Sequence, residues 1–276
     1  MSRMFTWADA ARIIVLLAVS FLILMPIAAA VLGGFKTNGE LRVSPFGLPE
    51  VWHLQFYGEI LGGRRFWVYL GNSFFISIMT VGLTLVLGSM CAFAFAQTRF
   101  FGSRFLFGYL LLGLMFPVAA AIMPLFLTVR DLGLLDTAWG VILPQVAFGL
   151  AFSIMFFRTF FKEMPSELFD AARVDGCSYI RFYFTFTLPL STPILATIAV
   201  FVFVQSWNNY LLPLIMLNDR EGYTWTLGAM DFRGEYAAEW NRTLAFVSAT
   251  LAPAVVFFLA AQKYIVSGLT GGAVKG

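Results

Sequence analysis

Residues 164–193 read MPSELFDAARVDGCSYIRFYFTFTLPLSTP, a polar island between two long apolar runs. Pro165-Ser166 opens a helix, with Ser166 expected to cap it and Glu167 in its first turn. Spacing of i, i+3, i+4 and i+7 puts Leu168, Ala171, Ala172 and Asp175 on one face, and Glu167, Asp170 and Val174 on its neighbour. Asp175-Gly176 ends the helix, because glycine takes up the left-handed conformation that a C-terminal cap needs. A second short helix carries Ile180, Tyr183 and Phe184 on one side, and Pro189 and Pro193 mark the entry to the next apolar run. The alanines let another surface approach closely, and the carboxylates suit basic side chains on that surface. A plain surface helix linking two membrane spans would carry the same pattern.

The chain around the island is apolar. Of its 276 residues 60% are hydrophobic and 12% charged, with a mean hydropathy of +0.83, whereas a soluble domain carries about a quarter charged residues. The composition is that of an all-α polytopic membrane protein. A net charge of +3 with no basic run excludes a nucleic-acid partner. Cys91 and Cys177 have no paired-cysteine spacing and His53 is the only histidine, so neither a disulfide nor a metal site is expected.

A spanning helix takes about twenty predominantly apolar residues. Six such runs are expected, at about 13–31, 68–96, 105–129, 138–157, 188–217 and 243–261, within one domain covering 1–276. The first is longer than the apolar part of a cleavable signal and reads as an uncleaved span. The second carries Gly71, Gly82 and Gly88 among Ser and Thr, which permits close helix packing in lipid. Pro117, Pro124 and Pro144 fall inside the third and fourth, where neighbouring helices or water must satisfy the freed carbonyls. Near the end of the fifth stand Gln205, Trp207, Asn208 and Asn209. These amides are costly in hydrocarbon and must face protein or a water-filled path. They suit either interhelical hydrogen bonds with an interfacial aromatic anchor or the hydroxyls and apolar faces of a sugar. An even number of spans puts both termini on one side. Ten Lys and Arg then share the island's side against eight opposite, which leans towards a cytoplasmic island.

Asp170-Ala171-Ala172, three residues, Gly176, nine residues, Phe186, one residue and Leu188-Pro189 resemble the EAA loop of ABC importer permeases. The family pattern has Glu where this chain has Asp170, and Ile where it has Phe186. The loop spans about 164–189. Asn72-Ser73, Leu211-Leu212-Pro213-Leu214 after Trp207-Asn208-Asn209, and the tail GLTGGAVKG resemble carbohydrate-importer permeases, more narrowly the smaller subunit of the maltose-transporter type.

The resemblance implies a type I ABC importer permease fold of six transmembrane helices with a cytoplasmic coupling helix. It implies a binding-protein-dependent importer of a sugar or related solute, in a bacterial or archaeal cytoplasmic membrane, with both termini cytoplasmic. The expected partners are a second, different permease, an ATPase subunit dimer that binds ATP and Mg, an extracytoplasmic solute-binding protein and the surrounding lipid. Glu167, Asp170, Ala171, Ala172, Asp175 and Gly176 would couple to the ATPase, and the loop around Tyr223 to Trp240 would face the binding protein. The chain itself is not expected to be an enzyme or to hold a cofactor: it has no P-loop GxxxxGK[ST] and no paired base and nucleophile. Six apolar spans also fit a stand-alone secondary transporter, but such carriers keep ionisable residues within their spans, and these spans contain almost none.

Overall fold

The computed structural model describes residues 7–232 and 238–271, so Arg3, Glu235 and the last five residues of the tail lie outside the described residues. The described chain is helical. In order come α1 (Trp7–Gly33), α2 (Asn38–Val43), α3 (Gln55–Gly62), α4 (Arg64–Gln97), α5 (Ser103–Leu112), α6 (Val118–Asp131) and α7 (Ala138–Lys162). They are followed by α8 (Ser166–Val174), α9 (Tyr179–Phe182), α10 (Leu188–Leu190), α11 (Thr192–Trp207), α12 (Leu211–Met216), α13 (Trp225–Gly228) and α14 (Trp240–Gly271). α1, α4, α7 and α14 are each long and apolar enough to cross a bilayer in one piece. Two further helix pairs, each bent at a short break, bring the count to the expected six when each pair is taken as one crossing.

The bends are where the uninterrupted runs expected at 105–129 and 188–217 give way. α5 and α6 meet at 104°. Pro117 lacks an N–H and forces the residue before it out of the helical region, and Phe116 is extended at φ −87°, ψ 118°. The second pair, Tyr179–Leu190 and Thr192–Trp207, meets at 77°, with Pro193 in the first turn of α11. This crossing therefore begins inside the polar island and stops at Trp207. There Asn209 Oδ1 accepts from Leu212 N (3.1 Å) and starts α12 as a separate element. Pro26, Pro124, Pro144 and Pro253 sit inside continuous helices.

The chain divides into two compact units, residues 1–67 with 228–253 and residues 68–227 with 254–276. In the first, Tyr57 Oη donates to Val31 O (2.8 Å), and Gly34 is pressed so closely that a Cβ would lie 2.6 Å from that phenol oxygen. Lys36 is completely buried, its Nζ donating to Ser44 O and Gly47 O at 2.6 Å each. These bonds bind the polar loop after α1 into a fixed shape. Phe66 packs edge-on against Phe246.

The second unit is organised by α4, α7 and α11. Buried Ser73, Ser77, Thr80 and Thr84 form one stripe along α4, small enough for helices to close on it. Of the three glycines expected to serve this packing, Gly88 does, since a Cβ there would lie 3.3 Å from Ser153 Cβ, while Gly71 and Gly82 face open space. Nearer the α8 end, the stripe gives way to a core of Phe93, Phe157, Phe161, Phe182, Ile194 and Ile198.

Candidate functional site

The polar island folds as α8, a Schellman-type turn and the second helix. The helix entry differs from expectation: Pro165 occupies the N-cap and Ser166 is the first helical residue, with no side-chain cap bond. Proline's fixed φ suits this point, where the early N–H groups have no intrahelical acceptors. The exit is as expected. Gly176 has φ +74°, its N–H bonds Arg173 O (3.0 Å), and Cys177 N–H bonds Ala172 O (2.9 Å). Those two bonds satisfy carbonyls that the helix end would leave open.

Rotation about the helix axis sorts the expected coupling residues into two groups. Ala172 is buried in the aromatic core, with Leu168, Phe169 and Cys177 packed around it. Glu167, Asp170, Ala171 and Asp175 are exposed, and Val174 is 87% exposed. The two alanines thus have different surroundings: Ala172 seats the helix on its own protein, and Ala171 leaves a shallow place on the outer face between Asp170 and Val174. Phe169 meets Phe182 edge-on at 5.0 Å and Tyr179 at 5.5 Å. The Arg173 guanidinium lies within 6 Å of the Phe169 and Tyr179 rings, a placement that steadies it by cation–π attraction. Phe186, at the position of the family's Ile, stacks on Phe182 at 5.2 Å. It lies in a π-helical turn, Tyr183–Thr187, of the kind frequent at functional sites.

A second polar site lies in the helical bundle. A cavity of about 250 Å³ is walled by Phe116, Phe152 and Phe201 and carries the polar atoms of Thr80, Gln145, Gln205, Ser206 and Asn209. Gln145 Oε1 accepts from Ser206 Oγ (2.5 Å) and from Thr80 Oγ1 (3.3 Å). Its Nε2 is buried and has no partner among the described residues. A buried amide donor left without an acceptor is costly to keep.

The four candidate path residues separate here. Gln205 and Asn209 line the cavity. Trp207 is buried against Phe74 and Phe203, and its backbone oxygen accepts from Trp225 Nε1 (2.7 Å). Asn208 turns its amide back to Val204 O (2.9 Å). Trp207 and Asn208 thus hold the end of α11, while Gln205 and Asn209 meet the open space. The sequence reading missed Gln145. The signal was available, since an amide inside the fourth apolar run carries the same cost as those at 205–209.

At the other end of α7, Asp136 joins two loops. Its N–H bonds Met216 O (2.9 Å), and its carboxylate accepts from the backbone N–H groups of Asn218 and Asp219. These bonds hold the carboxyl below the usual aspartate range.

The chain is similar to a diacetylchitobiose uptake system permease protein of Streptomyces coelicolor, with 31% identity over 258 residues, 93% of this chain and 85% of the relative. It is similar to an arabinooligosaccharides transport system permease protein of Halalkalibacterium halodurans, with 34% identity across 94% of this chain and 93% of the relative. A trehalose transport system permease protein of Mycobacterium tuberculosis is 37% identical over 222 residues, 80% of this chain and 81% of the relative. The fold matches a chain in the crystal structure of a bacterial ABC transporter involved in the import of the acidic polysaccharide alginate. That match has a TM-score of 0.81 and 22% identity, and covers 95% of this chain and 99% of that one. Residues 84–270 match the family described as binding-protein-dependent transport system inner membrane component. With that match over most of its length, the chain belongs to this family: it is a non-catalytic, multi-pass permease subunit of a binding-protein-dependent ABC transport system.

Proposed function

We propose that this subunit imports a sugar or related solute and receives its drive through the outer face of α8. The observation that carries the coupling half is the exposed row Glu167, Asp170, Ala171 and Val174 on a helix whose opposite face is rooted in the core. Two carboxylates, a shallow alanine and an apolar end suit a cleft with basic rims and an apolar floor on an ATPase subunit. Asp175 borders that surface and Gly176 fixes its end. Ala172 acts from beneath by seating the helix.

The substrate reading draws on the relatives, whose names speak of diacetylchitobiose, arabinooligosaccharides and trehalose, and on the chemistry of the cavity. Amides and hydroxyls at Gln145, Gln205, Ser206 and Asn209 beside Phe152 and Phe201 match the hydroxyls and apolar ring faces of a sugar. A second, different permease would complete the path. An ATPase dimer would hold ATP and Mg and perform the hydrolysis. A solute-binding protein would deliver from outside, against the loop around Tyr223 to Trp240. α8 and both termini would face the cytoplasm of a bacterial or archaeal cell. ATP shifts such a system by binding the closed motor more tightly than the open one, and the docked helices carry that closure to the spans.

The test is a gentle-detergent pull-down of the tagged chain from its native host. A different permease and a P-loop ATPase should accompany it, and Asp170→Lys with Ala171→Trp should release the ATPase while retaining the permease. A chain that purifies alone and transports solute in proteoliposomes without ATP would overturn the assignment of coupling to α8.

A further inference from the structure

At the α8 end of the second unit the turn between α4 and α5 forms one wall of an open cleft with the last turns of α7. Arg99, Arg104, Arg158 and Lys162 line it, and no carboxylate does. Among the described residues Arg99, Arg104 and Lys162 have no ion pair. Arg158 is fixed in place, its guanidinium 3.9 Å above the Phe107 ring and its Nε donating to Phe95 O (3.4 Å). The start of α5 also opens on the cleft. Gly102 at its N-cap has φ +79° and offers no side-chain cap; Ser103 N–H bonds Phe100 O (3.3 Å), and the helix start turns the positive end of its dipole and its next N–H groups, at Arg104 and Phe105, to this end. Four cations and a free helix start form a site for an anion bearing oxygen acceptors.

The surroundings define the rest of the ligand. Phe101 is fully exposed beside the cleft. Phe105, Tyr109 and Leu112 are exposed at i, i+4 and i+7 along α5, an apolar track that leads away from the cations towards the middle of the span. A free phosphate would have no use for that track, whereas an acyl chain would lie along it. We propose that this cleft binds the headgroup of an anionic phospholipid, its phosphate held by Arg99, Arg104, Arg158 and Lys162 and a chain following Phe105, Tyr109 and Leu112. The site lies at the end that carries α8, because Gln97 Nε2 bonds Phe161 O (3.1 Å) and α8 begins shortly after Lys162. In the orientation proposed above it faces the cytoplasmic leaflet, whose anionic lipids attract juxtamembrane basic groups. Through Lys162 and Arg158 such a lipid would brace the segment that leads into the coupling helix.

The test uses the chain purified in detergent with whatever subunits accompany it, and so does not depend on which way α8 faces. Native mass spectrometry with equal amounts of phosphatidylglycerol and phosphatidylcholine should show phosphatidylglycerol retained in excess by about tenfold or more. Arg99→Gln/Arg104→Gln/Lys162→Gln should bring it down to the phosphatidylcholine level; Arg158 is left intact because it packs on Phe107. Equal retention of the two lipids by the unaltered chain would overturn the proposal without reference to any variant. Full retention by a folded triple variant would do so too. Displacement of phosphatidylglycerol by millimolar inorganic phosphate would identify a soluble-anion site and remove the lipid. ATPase recovery in the pull-down reads the coupling proposal separately.

Discussion

Replacing Gly176 separates conformation from space as the reason for a glycine after the coupling helix. Its φ is +74°, and a Cβ built there meets nothing within 4 Å. A side chain therefore costs only the left-handed backbone, about 1–2 kcal/mol for Ala, less for Asn, whose short polar side chain visits that region, and more for β-branched Val. Opposing that strain are the two turn bonds, Gly176 N–H to Arg173 O and Cys177 N–H to Ala172 O, each worth roughly 0.5–1.5 kcal/mol net. For Ala strain and bonds are comparable, so the turn persists in a weakened form; for Val the strain wins and the last turn of α8 opens. With 1.4 kcal/mol equal to tenfold, the affinity of the ATPase for the nanodisc-embedded permease should fall about two- to threefold for Gly176→Asn, about tenfold for Gly176→Ala and further for Gly176→Val. ATP-dependent uptake should follow the same order. Steric room would give the opposite ranking, with Ala closest to the natural protein and Asn behind it. A Gly176→Asn variant that couples worse than Gly176→Ala would refute the conformational account.

The neighbouring alanines should respond differently to the same change. Ala172→Leu overpacks the core beneath α8 and should lower thermal stability by about 1–3 kcal/mol, whereas Ala171→Leu should leave the melting temperature unchanged and weaken ATPase recovery in the pull-down. Gln145→Leu breaks interhelical bonds that average only about 0.6 kcal/mol in membranes, so stability should change little; uptake, measured with radiolabelled sugar at matched expression, should drop and its KM rise. Uptake equal to that of the natural protein would remove Gln145 from the path. Asp136 has a folded pKa below its unfolded one, so its clamp stabilises fully above the ordinary carboxylate range, begins to fade there, and is lost as the pH falls through the lowered folded pKa beneath it. Asp136→Ala should therefore lower the melting temperature at pH 7.5, with the gap to the natural protein narrowing at pH 4 and below.

The polar island was legible because its signals are local. The spacing of Asp170, Ala171, Ala172 and Gly176 lies within seven residues, and the conformation of Gly176 follows from a single φ. Periodicity alone could not say which of two adjacent alanines is turned inward. That depends on Phe93, Phe157 and Phe182, which come from three separate segments. The bends were legible only as prolines. Pro117 and Pro144 look alike in sequence, yet one stands at the break that precedes α6 and the other lies inside α7. Gln205, Trp207, Asn208 and Asn209 formed a single polar group on paper. In the fold Gln205 and Asn209 line the cavity while Trp207 packs on Phe74 of α4, a division that depends on contacts with segments distant in the chain.

The seating of α8 bears on how force would pass through the subunit. Ala172 shares one packed cluster with Phe93 of α4, Phe157 and Phe161 of α7, Phe182 of α9 and Ile194 and Ile198 of α11. Pulling α8 away by itself would uncover several of these side chains to water at roughly 1.5–3 kcal/mol for each large one. Moving α4, α7 and α11 with it keeps that contact intact. Packed interfaces resist gradual deformation and favour discrete arrangements, so the inexpensive response to a pull is displacement of the helices as a body. The place able to yield is the π-helical turn at Tyr183–Thr187, where the hydrogen-bond ladder is already one residue out of α register. Tyr183 is tied there to Ser89 of α4 through a 2.7 Å hydroxyl contact. A motion entering at α8 therefore reaches α4 by both packing and hydrogen bonding, and α4 carries Thr80 to the cavity that Gln145 and Gln205 line.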